Sequence, residues 1–147
     1  MRSREPVSSY CRREVVTVVP DATIREAAAT LFRNNIGIVA IQGEHGLAGL
    51  LSERDIIGML VGGADPDVTT VDAGMTRSVI TVRPDDTVLD TVLVMLDDDI
   101  RHAPLVDEVG RLQGIVSVRY LLRPLVLQAM TPERQDPSPR KPAMAPG

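Results

Sequence analysis

The sequence repeats itself once, and this duplication limits the folds open to the chain. Residues 15–23, VVTVVPDAT, return 64 positions later at 79–87 as VITVRPDDT. After a one-residue insertion in a turn, residues 49–56, GLLSERDI, return at 114–121 as GIVSVRYL. Two long copies do not suit a solenoid, which stacks several repeats of about 20–45 residues. We therefore predict two halves related by approximate twofold symmetry.

Each copy has the same order of predicted elements, β-α-β-β-α. In the first copy, the β-branched run 15–19 ends at a Pro-Asp turn and predicts a short strand. Thr23 and Glu26 fit a capping box, and apolar residues at helical spacing follow them. Two apolar strands around a glycine-bearing turn come next, and Ser52 opens the last helix. The second copy repeats this order, with a weaker cap at Thr87.

The repeat divides the chain into five segments. The segment between the copies is rich in Gly, Asp and Pro, which indicates a linker. The last segment is rich in proline, and we predict that it is disordered because it cannot bury enough apolar surface to offset its ordering entropy. In order, the segments are a lead at 1–6, the first repeat at 7–62, the linker at 63–70, the second repeat at 71–128 and the tail at 129–147.

Composition argues against several classes of function. The net charge is −4 with a pI near 5.1, and three aromatic residues offer no stacking platform, so nucleic acid is not an expected partner. The single cysteine, Cys11, excludes an internal disulfide and a cysteine-based zinc cluster. No apolar run reaches the ~18 residues that cross a bilayer, and the N-terminus lacks the apolar stretch of a signal peptide. We expect a soluble, cytoplasmic protein without a membrane partner.

Three motifs, each complete in at least one of the copies, resemble the cystathionine-β-synthase (CBS) domain. They are a V-x-x-x-M opening, a T-V-x-P-D-x-T segment at the first helix and a G-h-h-S-x-R-D segment, with h apolar, at the last helix. The resemblance runs from about Val7 to Leu127 and leaves no room for a catalytic domain. It implies an α/β (α+β) fold of two CBS repeats packed through their sheets. It also implies a regulatory module for AMP, ADP, ATP or S-adenosylmethionine, and a disc-like homodimer.

The resemblance also indicates ligand-binding residues in the first copy. A ribose diol suits a carboxylate that accepts two hydrogen bonds, and a phosphate suits a helix N-terminus with cationic side chains. Ser52 and Asp55, on either side of Arg54, match the family positions that contact phosphate or ribose, and the ribose falls to the aspartate. Ser-x-x-Asp is also a capping box, so a purely structural role for the pair stays open.

The second copy has Tyr120 where the first has Asp55, and this difference predicts two unequal clefts. By family resemblance, the Asp55 cleft also draws on the second copy. The opposite cleft receives Gly37 and Ile38, with no charge beyond Arg54. We therefore predict one competent site, in the Asp55 cleft, and one degenerate site beside Tyr120. The predicted ligand-binding residues are Ser52, Arg54, Asp55, Ile80, Thr81, Arg101, His102 and Arg119.

Each predicted cation also has a structural explanation. Arg101 suits neutralisation of the three acids at 97–99, which lie at a helix C-terminus where the dipole disfavours them. His102 could be a solvent-exposed residue at the edge of a strand, and Arg119 could be an ordinary surface charge. The three adjacent aspartates point in different directions around a helix, so we predict no metal site.

The sequence leaves three functional hypotheses open. Neither His45, His102 nor Cys11 has a catalytic partner nearby in the sequence, so we do not expect an enzyme. The first reading is a regulatory module that senses an adenosine nucleotide and signals to an effector protein that the sequence does not identify. A ligand-free dimerisation or protein-interaction module with vestigial clefts is the second. An S-adenosylmethionine binder is the third. None of the three includes a covalently bound cofactor.

Overall fold

The structure, a computed structural model, describes residues 4–12 and 14–131 and has the predicted mixed α and β content. The first half contains β1 (Thr17–Val18), α1 (Ile24–Asn34), β2 (Ile38–Gly43), β3 (Gly46–Ser52) and α2 (Glu53–Val61). The second half contains α3 (Val88–Asp97), β4 (His102–Val106), β5 (Leu112–Ser117) and α4 (Val118–Met130). A short 3-10 helix precedes each half, at Val7–Tyr10 and at Val71–Ala73.

The two sheets differ in the length of their first strand. In the first half β1 runs parallel to β2, and β2 runs antiparallel to β3. In the second half β4 and β5 are antiparallel, and the expected first strand shrinks to one bridge between Val82 and Leu105. Pro104 explains the difference, because its counterpart Ala40 donates its N–H to the Val16 carbonyl at 3.4 Å. Proline has no N–H to donate, so this ladder position is lost.

The helix caps follow the sequence prediction. Thr23 and Glu26 form a reciprocal capping box at α1, with N–O distances of 3.2 and 3.1 Å. The cap of α3 is one-sided, because the Thr87 hydroxyl accepts from the Asp90 N–H at 3.1 Å without a return bond. Ser117 caps α4 by accepting from the Arg119 N–H at 3.3 Å. These bonds satisfy backbone donors that the first helical turn leaves free.

Each half completes its hydrophobic core with a segment from the other half. Val7 is fully buried in the core of the second half, beside residues of α3, β4 and α4. Val71 and Met75 are buried in the core of the first half. We call residues 6–12 and 70–76 the lead-ins, and they are exchanged between the halves. The units of packing therefore differ from the units of sequence repetition.

Two equivalent backbone bridges fix the exchanged lead-ins. Arg12 bridges Ile115 on β5, and the N–O distances in both directions are 3.1 and 3.2 Å. Thr76, 64 positions after Arg12, bridges Leu50 on β3 at 3.0 and 2.8 Å. The two bridges are related by the repeat, so the exchange is symmetric.

The glycine shared by both copies of the repeated motif is explained by these bridges. A Cβ atom on Gly49 would lie 2.5 Å from the Thr76 carbonyl oxygen. A Cβ atom on Gly114 would lie 2.6 Å from the Arg12 carbonyl oxygen. Both distances are shorter than van der Waals contact, and the obstacle is backbone rather than a flexible side chain. Glycine at these positions lets the lead-in cross the strand closely.

The predicted linker is hydrogen-bonded to α1, and the start of the predicted tail is helical. The predicted linker is bonded to α1, because the Ile24 and Arg25 N–H groups donate to the carbonyls of Thr69 and Pro66 at 3.0 and 2.9 Å. Helix α4 extends to Met130, so the first two residues of the predicted disordered tail are helical. The rest of that prediction, from residue 132, lies outside the described residues. Within the described chain, we find no helix with the length and apolar character needed to cross a membrane.

We predict that Gly114→Ala lowers the free energy of unfolding by about 1–3 kcal/mol, the usual cost of overpacking, because the lead-in must move away from β5. Urea denaturation would measure this. Gly58→Ala is the matched control, since a Cβ on this exposed helical glycine meets nothing within 4 Å. The control should stabilise the protein by about 0.5–1 kcal/mol. Equal effects of the two substitutions would contradict the close crossing of the lead-in.

Candidate ligand-binding cleft

A cavity of about 320 Å³ lies between the two halves, at the low end of the volumes typical of small-molecule sites. The first half contributes the residues ahead of β1 and ahead of β2. The second half contributes the residues ahead of β4 and those at the junction of β5 and α4. The lining residues are Arg12, Glu14, Val15, Val16, Asn35, Ile36, Gly37, Ile38, Arg101, His102, Ile115, Ser117, Val118, Arg119 and Tyr120.

Strand pairing brings the second-half residues to one place. His102 at the start of β4 pairs with Ser117 at the end of β5. The Val118 N–H, in the first turn of α4, donates to the Arg101 carbonyl at 2.9 Å. The segment ahead of β4 therefore lies beside the N-terminus of α4. From the first half, the bridge between Arg12 and Ile115 brings the lead-in to the same edge.

The cavity has more positive than negative side chains. Arg12, Arg101 and Arg119 line it together with one carboxylate, Glu14. Among the residues that the structure describes, none of these three guanidinium groups has a carboxylate oxygen within 4.0 Å. The N-terminus of α4 adds the partial positive charge of the helix dipole. This arrangement can bind an anion through charge-assisted hydrogen bonds.

His102 contributes hydrogen-bonding capacity rather than charge at neutral pH. Its ring is half-buried, and burial followed by the nearby Arg101 charge lowers its pKa below the ordinary value of 6.5. The lowered pKa favours the neutral imidazole, which has one donor and one acceptor nitrogen. The sequence prediction counted His102 among the positive side chains, and the lowered pKa argues against a charge on this residue.

The structure groups the predicted residues differently from the sequence prediction. Arg101, His102 and Arg119 share one cavity as predicted, but they share it with Tyr120 and not with Asp55. The expectation that the Tyr120 cleft has little positive charge is therefore wrong. The reason is the pairing of β4 with β5, which places the residues ahead of β4 beside α4 of their own half. Gly37 and Ile38 line this cavity, as expected for the Tyr120 cleft.

Ser52 and Asp55 form the capping box that was the structural alternative for these residues. The Asp55 carboxylate accepts from the Ser52 N–H at 2.8 Å, and the Ser52 hydroxyl accepts from the Asp55 N–H at 3.1 Å. Neither residue lines the cavity described above, and neither does Arg54. Capping does not exclude a second role, so their contact with a ligand stays a prediction.

Ile80 and Thr81 lie apart from the predicted cations. They line a smaller cavity of about 180 Å³ within the second half, formed mainly with α3. Two acidic residues of that half, Asp86 and Asp90, also line it. None of the described residues that line this cavity has a cationic side chain. The role of Ile80 and Thr81 as ligand contacts stays a prediction.

Arg12 and Glu14 are the functional candidates that the sequence prediction missed. The sequence does show that the lead-ins of the two copies match, since Val7–Cys11 parallels Val71–Met75. The sequence does not indicate that each lead-in packs on the opposite half. The position of Arg12 and Glu14 in the cavity could therefore not be predicted. In the described part of the chain, no group of three or more His, Cys, Asp or Glu residues is arranged to hold a metal ion.

Two duplicated α/β halves with exchanged lead-ins and a cavity between them define a two-repeat module. The chain belongs to the CBS domain family, because the model of that domain matches residues 7–62 and again residues 67–127. The family resemblance drawn from the sequence motifs is therefore confirmed.

Proteins from several organisms are similar to this chain in sequence. A 17.7 kDa protein from Acidianus ambivalens is 36% identical over 121 residues, which cover 82% of this chain and 73% of that protein. The CBS domain-containing protein YhcV from Bacillus subtilis is 30% identical over 105 residues, covering 71% and 74% of the two chains. The chain spans only 61% of a Methanopyrus kandleri relative that is 36% identical.

Solved structures of CBS pairs include complexes with adenosine compounds. A CBS domain protein from Pyrobaculum aerophilum in complex with AMP is 29% identical with a TM-score of 0.76, over 86% of this chain and 99% of that one. The CBS domain pair of protein MJ0100, in complex with 5-methylthioadenosine and S-adenosyl-L-methionine, is 28% identical with a TM-score of 0.74. That match covers 84% of this chain and 97% of the other.

Some relatives are named as enzymes, but this chain matches only a minor part of them. They are an L-aspartate semialdehyde sulfurtransferase and an inosine-5'-monophosphate dehydrogenase of Methanocaldococcus jannaschii, and the match covers 22% of each. The similarity is confined to the CBS domain pair. It therefore does not carry over to this chain the activities for which these relatives are named.

We predict that His102→Gln reduces the loss of stability on acidification. Below about pH 6.5 the unfolded chain takes up a proton at this imidazole before the folded chain does, so the free energy of unfolding falls as pH falls. Chemical denaturation at about pH 7.5 and about pH 5.5 would measure the difference. His45→Gln, in the exposed turn between β2 and β3, is the control. An unchanged pH dependence in His102→Gln would contradict the burial of this ring.

Proposed function

We propose that this chain is a regulatory CBS pair that binds an adenosine nucleotide in the cavity lined by Arg101, Arg119 and Tyr120. The observation that carries the proposal is a cavity between the halves with three guanidinium groups and a helix N-terminus at its lining. Together these groups suit a phosphate.

The apolar part of the lining suits a purine. Aliphatic side chains from both halves face the cavity, and Tyr120, whose surface is 48% exposed, adds an aromatic ring. A purine presents two apolar faces and a polar edge, so it can lie against such walls while its edge meets backbone groups. The aliphatic lining residues are Val15, Val16, Ile36, Ile38, Ile115 and Val118.

The complexes of similar proteins support the same class of ligand. The Pyrobaculum protein was solved with AMP, and the MJ0100 pair with 5-methylthioadenosine and S-adenosyl-L-methionine. Adenosine is common to all of these. We favour a nucleotide over S-adenosylmethionine here because three arginines outnumber the single carboxylate, Glu14, in the cavity lining. A cationic sulfonium ligand would meet net repulsion there.

A ligand in this cavity would touch both halves. It would stabilise the relative arrangement of the halves to which it binds best, and this shift in population is the form of signal that we propose. An effector protein in the cytoplasm would read the signal. The regulatory role and the absence of catalysis rest on the CBS pair as the unit of similarity.

We predict that AMP stabilises the protein against heat and that Arg119→Ala weakens AMP binding about 10–100-fold. Loss of one charge-assisted hydrogen bond costs about 1.5–3 kcal/mol, and each 1.4 kcal/mol is about tenfold in affinity. At about 100 times its dissociation constant, AMP should add about 2.7 kcal/mol of stability. Calorimetry with AMP, ADP, ATP and S-adenosylmethionine would measure affinity and stoichiometry, with about one site per chain expected.

Arg33→Ala is the matched control, because this exposed arginine lies in the last turn of α1 and does not line the cavity. It should leave AMP binding unchanged. Asp55→Ala reports on the other predicted cleft. If no adenosine compound binds the unaltered protein, the ligand-free interaction module becomes the better reading. If Asp55→Ala abolishes binding while Arg119→Ala does not, the ligand belongs to the Asp55 cleft.

We also propose that two copies associate through the helices. Large apolar side chains are exposed on α1 and α2, including Phe32 at 87%, Ile57 at 59% and Val61 at 83%. Phe32 and Ile57 line a shallow groove of about 530 Å³ between these helices. Exposed apolar patches of this kind are typical of protein interfaces.

We predict that Phe32→Glu converts a dimer into a monomer, because a charge would be desolvated at the apolar contact. Light scattering coupled to gel filtration would measure the mass. Val109→Glu is the control, since Val109 is 72% exposed in the turn between β4 and β5 and belongs to neither α1 nor α2. A monomeric unaltered protein, or a dimer that survives Phe32→Glu, would exclude this interface.

A further inference from the structure

The cavity beside Tyr120 contains a carboxylate in an unexpected place. Tyr120 occupies the position at which the first copy has Asp55, so the last helix of the second half offers no acid. Glu14 nevertheless lines the cavity, and it comes from the first half, just ahead of β1. Of the described residues that line this cavity, Glu14 is the only one with a carboxylate.

The exchanged lead-ins explain how Glu14 reaches the cavity. Glu14 follows the bridging residue Arg12 by two positions, and Tyr120 follows the partner residue Ile115 by five. In the equivalent bridge, Ser78 follows Thr76 by two positions, and Asp55 follows Leu50 by five. By this spacing, Glu14 and Tyr120 correspond to Ser78 and Asp55 in the other copy. Glu14 and Tyr120 line one cavity together.

Glu14 is available to a ligand. It is exposed, and in the described chain its carboxylate neither accepts a hydrogen bond nor pairs with any of the three arginines within 4.0 Å. A carboxylate accepts hydrogen bonds and repels phosphate, so the part of a nucleotide that it can bind favourably is a hydrogen-bond donor. The ribose diol presents two such donors close together.

We propose that Glu14 binds the ribose hydroxyls of the nucleotide and so takes the role that the missing aspartate would have had beside Tyr120. This inference rests on the proposed function, since it requires a ribonucleotide in this cavity. It makes Glu14 the residue that distinguishes ribose from a sugar without a diol. The carboxylate belongs to one half and the helix N-terminus to the other, so the ligand would connect the two halves.

The test compares AMP with 2′,3′-dideoxy-AMP on the full chain by calorimetry. The unaltered protein should prefer AMP by about tenfold or more, as expected for hydrogen bonds to a charged acceptor. In Glu14→Gln this preference should fall to about threefold or less. The ratio is the readout, because removal of a negative charge can raise the affinity for both phosphates equally.

Two further variants sharpen the test. Glu44→Gln, in the exposed turn between β2 and β3, should retain the full preference for AMP. Tyr120→Asp, placed in the Glu14→Gln background, should restore part of the preference by supplying a carboxylate from α4. The thermal unfolding midpoint of each variant shows whether it is folded.

The outcomes separate this inference from the proposed function. If AMP binds but Glu14→Gln keeps the full preference, the inference is wrong while the nucleotide site stands. If Asp55→Ala removes the preference instead, the diol is bound in the opposite cleft and the inference is again wrong. If the unaltered protein binds neither nucleotide, both the proposed function and the inference fail.

Discussion

The burial of each lead-in in the opposite half is the contact on which the rest of the structure depends. Val7 is packed with α3, β4 and α4, and Val71 and Met75 are packed with the first half. The backbone bridges beside them require a glycine on the strand that they cross, Gly49 or Gly114. The same crossing carries Arg12 and Glu14 across to β5. Core packing and cavity lining are therefore two results of one arrangement.

Local features of the fold were predictable because local chemistry determines them. The caps at Thr23 and Thr87 depend on residues three positions apart, and the apolar spacing of α1 depends on one helical face. The missing first strand of the second half was also readable in principle, since Pro104 removes a donor from the ladder. The exchange of the lead-ins was not predictable from the sequence, because the core of either half could accept Val7.

The candidate site shows the same boundary between local and long-range information. The sequence identified Arg101, His102 and Arg119 as residues of one cleft, and the cavity contains all three. The sequence prediction grouped these residues with Asp55. Similarity between the copies does not show which half contributes the residues beside a given helix N-terminus. The pairing of His102 with Ser117 decides this, and it is a property of the folded sheet. The burial of His102, which lowers its pKa, also cannot be read from the sequence.

The exchange of lead-ins also has a consequence for synthesis of the chain. Val7 emerges from the ribosome early, but the core that covers it includes Leu121, more than a hundred residues later. The second core is therefore complete only after almost the whole described chain has been made. Contacts between residues so far apart in the sequence slow folding. The apolar residues that stay exposed until these contacts form can aggregate. Neither half cut out at its repeat boundary would have a complete interior, so evolution and engineering must treat the pair as one folding unit.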